Sequence, residues 1–300
     1  MANPLNRGEL FAPDVVEDLF NKVVGRSSLA VLSNQRPIAF NGSEFFTFSF
    51  DNEIDVVGES KPKSAGGITV DSIVIRPIKV EYSARVSDEF LYASQAKRID
   101  ILREFNNGYA RKLAKGFDLM AIHGVNPRTG AASDIIGENN FNTKVTQSVT
   151  YTEANPQLNI EDAIALIDGA DAETDGILLA PEVTTALSRV TLTGDAKGVR
   201  RYPEFEFGRV PTNLGGLRLE KNKTVSAYNN LKGLAGDFEG SFRWGVTKQI
   251  PLEIIRYGDP DNTGRDLAGH NEVLLRSETY LGWGILNPEA FAKITGGKDA

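Results

Sequence analysis

The chain has 300 residues, 41% of them hydrophobic and 24% charged, and a formal charge of −7. That length suffices for one large domain or two smaller ones, each with its own core. The lack of cysteine excludes disulfides, thiolate zinc sites and cysteine nucleophiles, and no apolar run is long enough to read as a membrane-spanning helix.

The first residues, Met1-Ala2-Asn3-Pro4-Leu5-Asn6-Arg7, lack the basic-then-apolar run of a secretory signal, so the expectation is a protein kept in a cytoplasm. Residues 1–35 read as an extended arm with one short helix from Asp14 to about Val24. Val15, Val16, Leu19, Phe20 and Val23 fall at 3–4 spacing, Pro13 precedes the first turn and Gly25 stops it.

A long hairpin follows. Phe46, Phe48 and Phe50 alternate with Thr47, Ser49 and Asp51, and a second, longer strand carries Val70, Ser72, Val74, Arg76, Ile78, Val80, Tyr82 and Ala84 on one face. Turn formers and the lysines Lys61 and Lys63 lie between, over 58–67. A ribbon this long is marginal alone in water. Its aromatic and β-branched residues need a partner surface, either in the same domain or on a neighbouring subunit.

From about Ser94 to Ile122, Ile99, Leu102, Phe105, Tyr109, Leu113, Phe117 and Met120 recur every three or four residues. This predicts an amphipathic helix of about eight turns, roughly 40 Å long, closed by His123-Gly124. Residues 124–156 are rich in Gly, Asn, Ser and Thr and read as loops with a short hairpin.

Beyond 155, helices at Ile160–Ile167 and Pro181–Val190 alternate with a buried strand at Gly176–Ala180 and strands at Gly216–Leu219, Thr224–Ala227, Gly233–Asp237, Ser241–Thr247 and Leu252–Tyr257. A strand at Asn271–Leu286 and a helical cap at Pro288–Ile294 end the series. The mixture predicts an α+β fold.

No catalytic, cofactor or metal site emerges from this order, and the chain is expected not to be an enzyme. His123 ends an apolar helix and is expected to cap its carbonyls, while His270 sits in a polar loop. Asp259-Pro260-Asp261-Asn262-Thr263-Gly264 mimics the opening of a calcium loop, but His270 stands where the bidentate Glu is needed. An acidic turn is the expected reading. Gly282-Trp283-Gly284-Ile285-Leu286-Asn287 begins like a dinucleotide fingerprint yet lies late in a strand. No Gly-x-Ser-x-Gly elbow or phosphate loop occurs. The densest basic spot is Arg200-Arg201, so sequence-specific nucleic-acid reading is not expected.

The last third carries a resemblance. Gly236-Asp237-Phe238-Glu239-Gly240-Ser241-Phe242-Arg243-Trp244-Gly245, then the strand Ile250–Ile255, then Asn271-Glu272-Val273-Leu274-Leu275-Arg276-Ser277-Glu278-Thr279-Tyr280-Leu281-Gly282-Trp283-Gly284 and Asn287-Pro288-Glu289-Ala290-Phe291, resemble the closing segments of tailed-bacteriophage major capsid proteins. Upstream, the arm, the lysine-tipped hairpin, Ser87-Asp88-Glu89-Phe90-Leu91 and the long helix occur in the same order. Essentially the whole chain is therefore similar to the Hong Kong 97-type capsid fold.

The resemblance implies an N-terminal arm at 1–35, an E-loop hairpin with flanking strands at 36–86, a P-domain with its spine helix at 87–154, an A-domain at 155–270 and a P-domain strand and cap at 271–300. It implies a homo-oligomer of pentamers and hexamers in an icosahedral shell. That shell would enclose double-stranded DNA without sequence-specific binding, in a virion assembled in a bacterial cytoplasm.

Phe46, Phe48, Phe50, Lys61 and Lys63 are the implied inter-subunit contacts. Many relatives carry a long, cleaved N-terminal extension that acts as a scaffold. The chain begins almost at the arm, which implies a separate scaffolding protein, none, or a processed form; portal and head-decoration proteins are further implied partners. Some relatives weld subunits through a Lys–Asn isopeptide bond. Lys61 and Lys63 lie where such a lysine would sit, but no acceptor Asn or helper Glu matches, so both are expected to be solvated. An encapsulin-like nanocompartment shell and, more remotely, an α+β hydrolase or binding module are the alternatives.

Overall fold

The computed structural model describes residues 27–50, 52–92, 95–192 and 197–296. The helix expected over Asp14–Val24 lies outside the described residues. In chain order, α1 (Ser28–Leu32) leads to β1 (Ser43–Phe50), β2 (Ile68–Ile75), β3 (Ile78–Ser87) and the long α2 (Gln95–His123). Next come α3 (Phe141–Lys144), β4 (Ser148–Tyr151), α4 (Pro156–Asp168), β5 (Gly176–Leu179) and α5 (Pro181–Arg189). The remaining strands are β6 (Asn213–Leu214), β7 (Leu217–Lys221), β8 (Leu231–Gly236), β9 (Phe242–Ile255), β10 (Glu272–Ile285) and β11 (Phe291–Gly296).

These strands form three sheets: the ribbon β1-β2, a three-stranded sheet β3-β10-β9, and a six-stranded sheet β4-β11-β8-β5-β7-β6. The α+β class follows from the sequence pattern and is the one observed.

α2 bridges two cores. Its 29 residues span about 43 Å. Towards its C-terminus, Leu113, Phe117 and Met120 enter the main core, where Phe117 lies 5.2 Å from Trp244 and 5.9 Å from Trp283, ring centre to ring centre. Nearer its start, Leu102 and Phe105 cover a smaller cluster with Leu252, Val273 and Leu275 on the three-stranded sheet. Between the two, the Tyr109 hydroxyl lies 2.6 Å from the Thr279 hydroxyl. Burial pushes the Tyr109 pKa up to about 12, so it stays a neutral partner.

Four expected elements differ from those observed. The long strand over residues 70–84 is two strands, β2 pairing with β1 and β3 with β10. Pro77 has no N–H to continue the first ladder. Buried Ile75 turns onto β10 at Gly284, where a Cβ would stand 2.7 Å from Ile75 Cγ1.

The strand expected at Thr224–Ala227 is a 3₁₀ turn, Val225–Ala227. The Asn222 side chain accepts from the Thr224 N–H at 3.1 Å and bends the chain there. The pair Ser241–Thr247 and Leu252–Tyr257 is one continuous strand, β9, whose register against β10 shifts between Arg276 and Glu278, opposite Pro251. A proline is tolerated at such a bulge.

The helical cap at Pro288–Ile294 is a 3₁₀ turn, Pro288–Ala290, followed by β11. Asn287 caps the turn, but β4 and β8 offer edges on either side, and pairing with both outweighs local helix preference.

Candidate functional site

An exposed apolar surface lies on the ribbon. Register places positions 44, 46, 48 and 50 of β1 opposite 74, 72, 70 and 68 of β2. Side chains alternate faces along a strand. Phe46, Ile68, Val70 and Val74 thus share one face, and all four are exposed, Phe46 by 57%. Positions 48 and 50 belong to the same face by register; the Phe48 and Phe50 side chains lie outside what the structure describes.

The connecting loop adds Ile54 and Val56, 95% and 94% exposed. Lys61 and Lys63 are exposed on it beyond the turn closed by the Lys61 N–H to the Gly58 carbonyl, 3.2 Å. At the root of the ribbon a groove of about 300 Å³ is lined by Ile78, Ile135, Ile136 and Trp283 together with Arg76, Asn139 and Lys144.

Two polar clusters hold the surrounding framework. In the first, the Arg85 guanidinium on β3 donates from Nε to both Asp261 carboxylate oxygens (3.2 and 2.9 Å), from Nη1 to Glu272 (2.9 Å) and from Nη2 to Asp259 (2.7 Å). Asp259 also accepts from the Thr263 and Gly264 N–H groups, at 3.0 and 2.7 Å. The calcium-like string is therefore an acidic turn filled by a guanidinium.

Arg85 holds the Asp261 carboxyl down to about 2. A depressed carboxyl contributes above its ordinary value of about 4, and the contribution is lost as pH falls through about 2. Arg85→Lys keeps the charge but loses the planar fork. Amide exchange in residues 258–271 should rise several-fold in that variant, with α2 unchanged; equal exchange would show that the fork does not order the loop.

The second cluster ties three distant segments together. Asp118, fully buried on α2, accepts from the Ser27 hydroxyl, the N–H groups of Ser28 (3.1 Å) and Leu29 (3.4 Å), Asn222 Nδ2 (2.8 Å) and the Thr224 hydroxyl (3.4 Å). Next to it, His123 Nε2 donates to the Thr224 carbonyl at 2.8 Å. The expectation that His123 caps its own helix is corrected, since its acceptor belongs to the 222–227 segment. That bond fixes the tautomer, leaves Nδ1 buried without a partner among the described residues, and burial lowers the His123 pKa. His270 is exposed, as expected, with Nδ1 2.8 Å from the Asp266 carbonyl.

Burial pushes the Asp118 pKa up to about 6, against the pull of its donors. A carboxyl raised on folding contributes fully below its unfolded value of about 4, and that contribution is lost as pH rises through about 6. Asp118→Asn does not titrate, and His123 is common to both proteins. The destabilisation caused by Asp118→Asn should therefore shrink by about 2 kcal/mol between roughly pH 4.5 and pH 7.5. Urea midpoints read the difference, and a constant gap would refute the buried titration.

Among the described residues no group of three or more His, Asp or Glu could hold a metal, and no helix is long and apolar enough to cross a membrane. What the surface does present is an apolar ribbon face left exposed among the described residues, on a body braced by two cores and two polar clusters. Such a surface is a candidate contact for other protein subunits.

The family comparison gives the particular class. The profile of the phage capsid family matches residues 8–296. The chain superposes on a structure from Mycobacterium phage Ogopogo at 30% identity and a TM-score of 0.77, covering 91% of this chain and 92% of that one. A structure from Gordonia phage Cozz is similar at 22% identity and a TM-score of 0.76, over 91% and 87%. A capsid of an empty GTA particle, computed with C5 symmetry, is similar at 15% identity and a TM-score of 0.64, over 91% and 90%. No curated protein sequence matches the chain. The chain belongs to the phage capsid family, and its fold is the Hong Kong 97-like capsid fold.

Proposed function

We propose that this chain is the major capsid protein of a tailed bacteriophage, closing as rings of five and six copies into an icosahedral shell around double-stranded DNA. The observation that carries the reading is the family match over almost the whole chain, in a fold whose ribbon face is exposed among the described residues. Head-to-tail contacts make closed rings when the rotation closes, and rings of two sizes tile a shell.

In this reading residues 36–86 are the E-loop with its flanking strands, 87–154 the P-domain with α2 as spine, 155–270 the A-domain, and 271–300 the closing P-domain segment, following the arm at 1–35. Phe46, Phe48, Phe50, Lys61 and Lys63 meet the neighbouring subunit. A charge of −7 suits a wall that encloses nucleic acid without gripping its phosphates. Portal and decoration proteins are the partners this role implies, and assembly takes place in the bacterial cytoplasm before the shell becomes part of the virion.

The nanocompartment alternative gains no support from these similarities, which are to phages and a GTA particle. Negative-stain microscopy and native mass measurement of the purified chain, alone and with candidate scaffold, test the proposal. Uniform closed particles are expected; a monomer under every condition would overturn it.

A further inference from the structure

The loop beyond β1 and the groove at the ribbon root are complementary. Glu53-Ile54-Asp55-Val56 alternates acid and apolar, so an extended backbone puts the acids on one side and the apolar groups on the other. All four residues are exposed, and the segment pairs with no strand. The groove has the matching character: apolar Ile78, Ile135, Ile136 and Trp283 line it together with the cations Arg76 and Lys144. Among the described residues neither cation makes an ion pair, and neither do Glu53 and Asp55.

We propose that Glu53–Val57 of one copy docks in the ribbon-root groove of a second copy, Ile54 and Val56 against its apolar lining and Glu53 and Asp55 towards Arg76 and Lys144. This rests on the shell reading and gives its ribbon contact a defined receiving site. A second copy is the fitting occupant because the segment follows the Phe50–Ile68 end of the ribbon, whereas its own groove is lined by Ile73, Val74 and Arg76 towards the opposite end of β2, a strand about 26 Å long. Donor and receiver are different patches of one surface, the heterologous arrangement that forms rings. Burial lowers the Lys144 pKa against the pull of Glu138, and an incoming carboxylate adds to that pull.

The absence of native cysteine makes the test direct. Ile54→Cys and Ile135→Cys proteins, assembled together and oxidised, should yield disulfide-linked dimers on non-reducing gels. Ile54→Cys paired with Leu158→Cys, an exposed position on α4, should yield few. Shells whose Ile54–Ile135 linkage does not exceed that control would overturn the docking while leaving the shell reading intact; wild-type chain that forms no shells sinks the shell reading itself. Preferential capture of Ile135→Cys by a Val16→Cys arm would also overturn it. Independently, Glu53→Lys with Asp55→Lys, or Arg76→Glu with Lys144→Glu, should each cut shell yield at least tenfold, and the four together should restore it. Equal yields in all three variants would refute the pairing.

Discussion

Phe46→Asp should give a subunit that folds normally and closes few or no shells. Phe46 is more than half exposed within its own chain, so the change removes little internal packing. At a subunit contact the same side chain would bury its remaining apolar surface, worth about 1–2 kcal/mol. A carboxylate there adds a desolvation cost of at least about 2 kcal/mol. The sum, about 3–4 kcal/mol per contact, corresponds to a rise of more than about 100-fold in the concentration needed for assembly. Each copy gives and receives the contact, so the loss is felt twice. Sedimentation velocity and microscopy read the particles, and circular dichroism of the soluble subunit reads the fold. Normal shells at wild-type concentration would remove the ribbon face from the interface.

Gly245→Ala should be the most damaging small change to the fold. A Cβ at this position would fall on the Arg36 carbonyl oxygen and 3.1 Å from Ile38 Cγ1. The two backbones are fastened there, since the Arg36 N–H donates to the Trp244 carbonyl at 2.8 Å and Gln35 bridges to Trp244 in parallel. Alanine must expel residues 35–38, uncovering buried Ile38 and Trp244, or shift β9 along β10. A loss of about 3–5 kcal/mol is expected, with a melting temperature lower by about 10 °C. Gly108→Ala is the control: it lies mid-α2 with open space around its Cβ and should gain about 0.5–1 kcal/mol. A Gly245→Ala melting curve that overlays the wild type would refute the close approach.

Several of these features were legible in the chain itself. The stripe from Leu102 to Met120 announces α2 because a single face of the helix meets both cores, and the ordered series of segments carries the family. The break at Arg76-Pro77 was harder to see. Alternation runs straight through it, and only the competing partners β1 and β10 divide the strand. β11 was hidden by its own composition, since Asn-Pro-Glu-Ala-Phe-Ala-Lys suits a capped helix until two neighbouring edges claim it.

The polar clusters lie furthest from sequence reasoning. Asp118 does leave a trace, a lone acid between Phe117 and Leu119 in the buried end of α2. Its partners at 27–29 and 222–224 carry no mark that points back to it. Arg85 sits in ordinary strand alternation, and only the fold brings Asp259, Asp261 and Glu272 to it.

The position of β11 between β4 and β8 bears on when a subunit can exist. Until the ribosome has made residues 291–296, the six-stranded sheet has a gap in it, and the edges of β4 and β8 are both open. Pairing across such sequence distance is slow and cannot begin early. A nascent chain therefore completes this sheet only after residues 291–296 have been translated. Premature stops upstream of Phe291 would release unpaired edges prone to sticking to one another rather than usable building blocks.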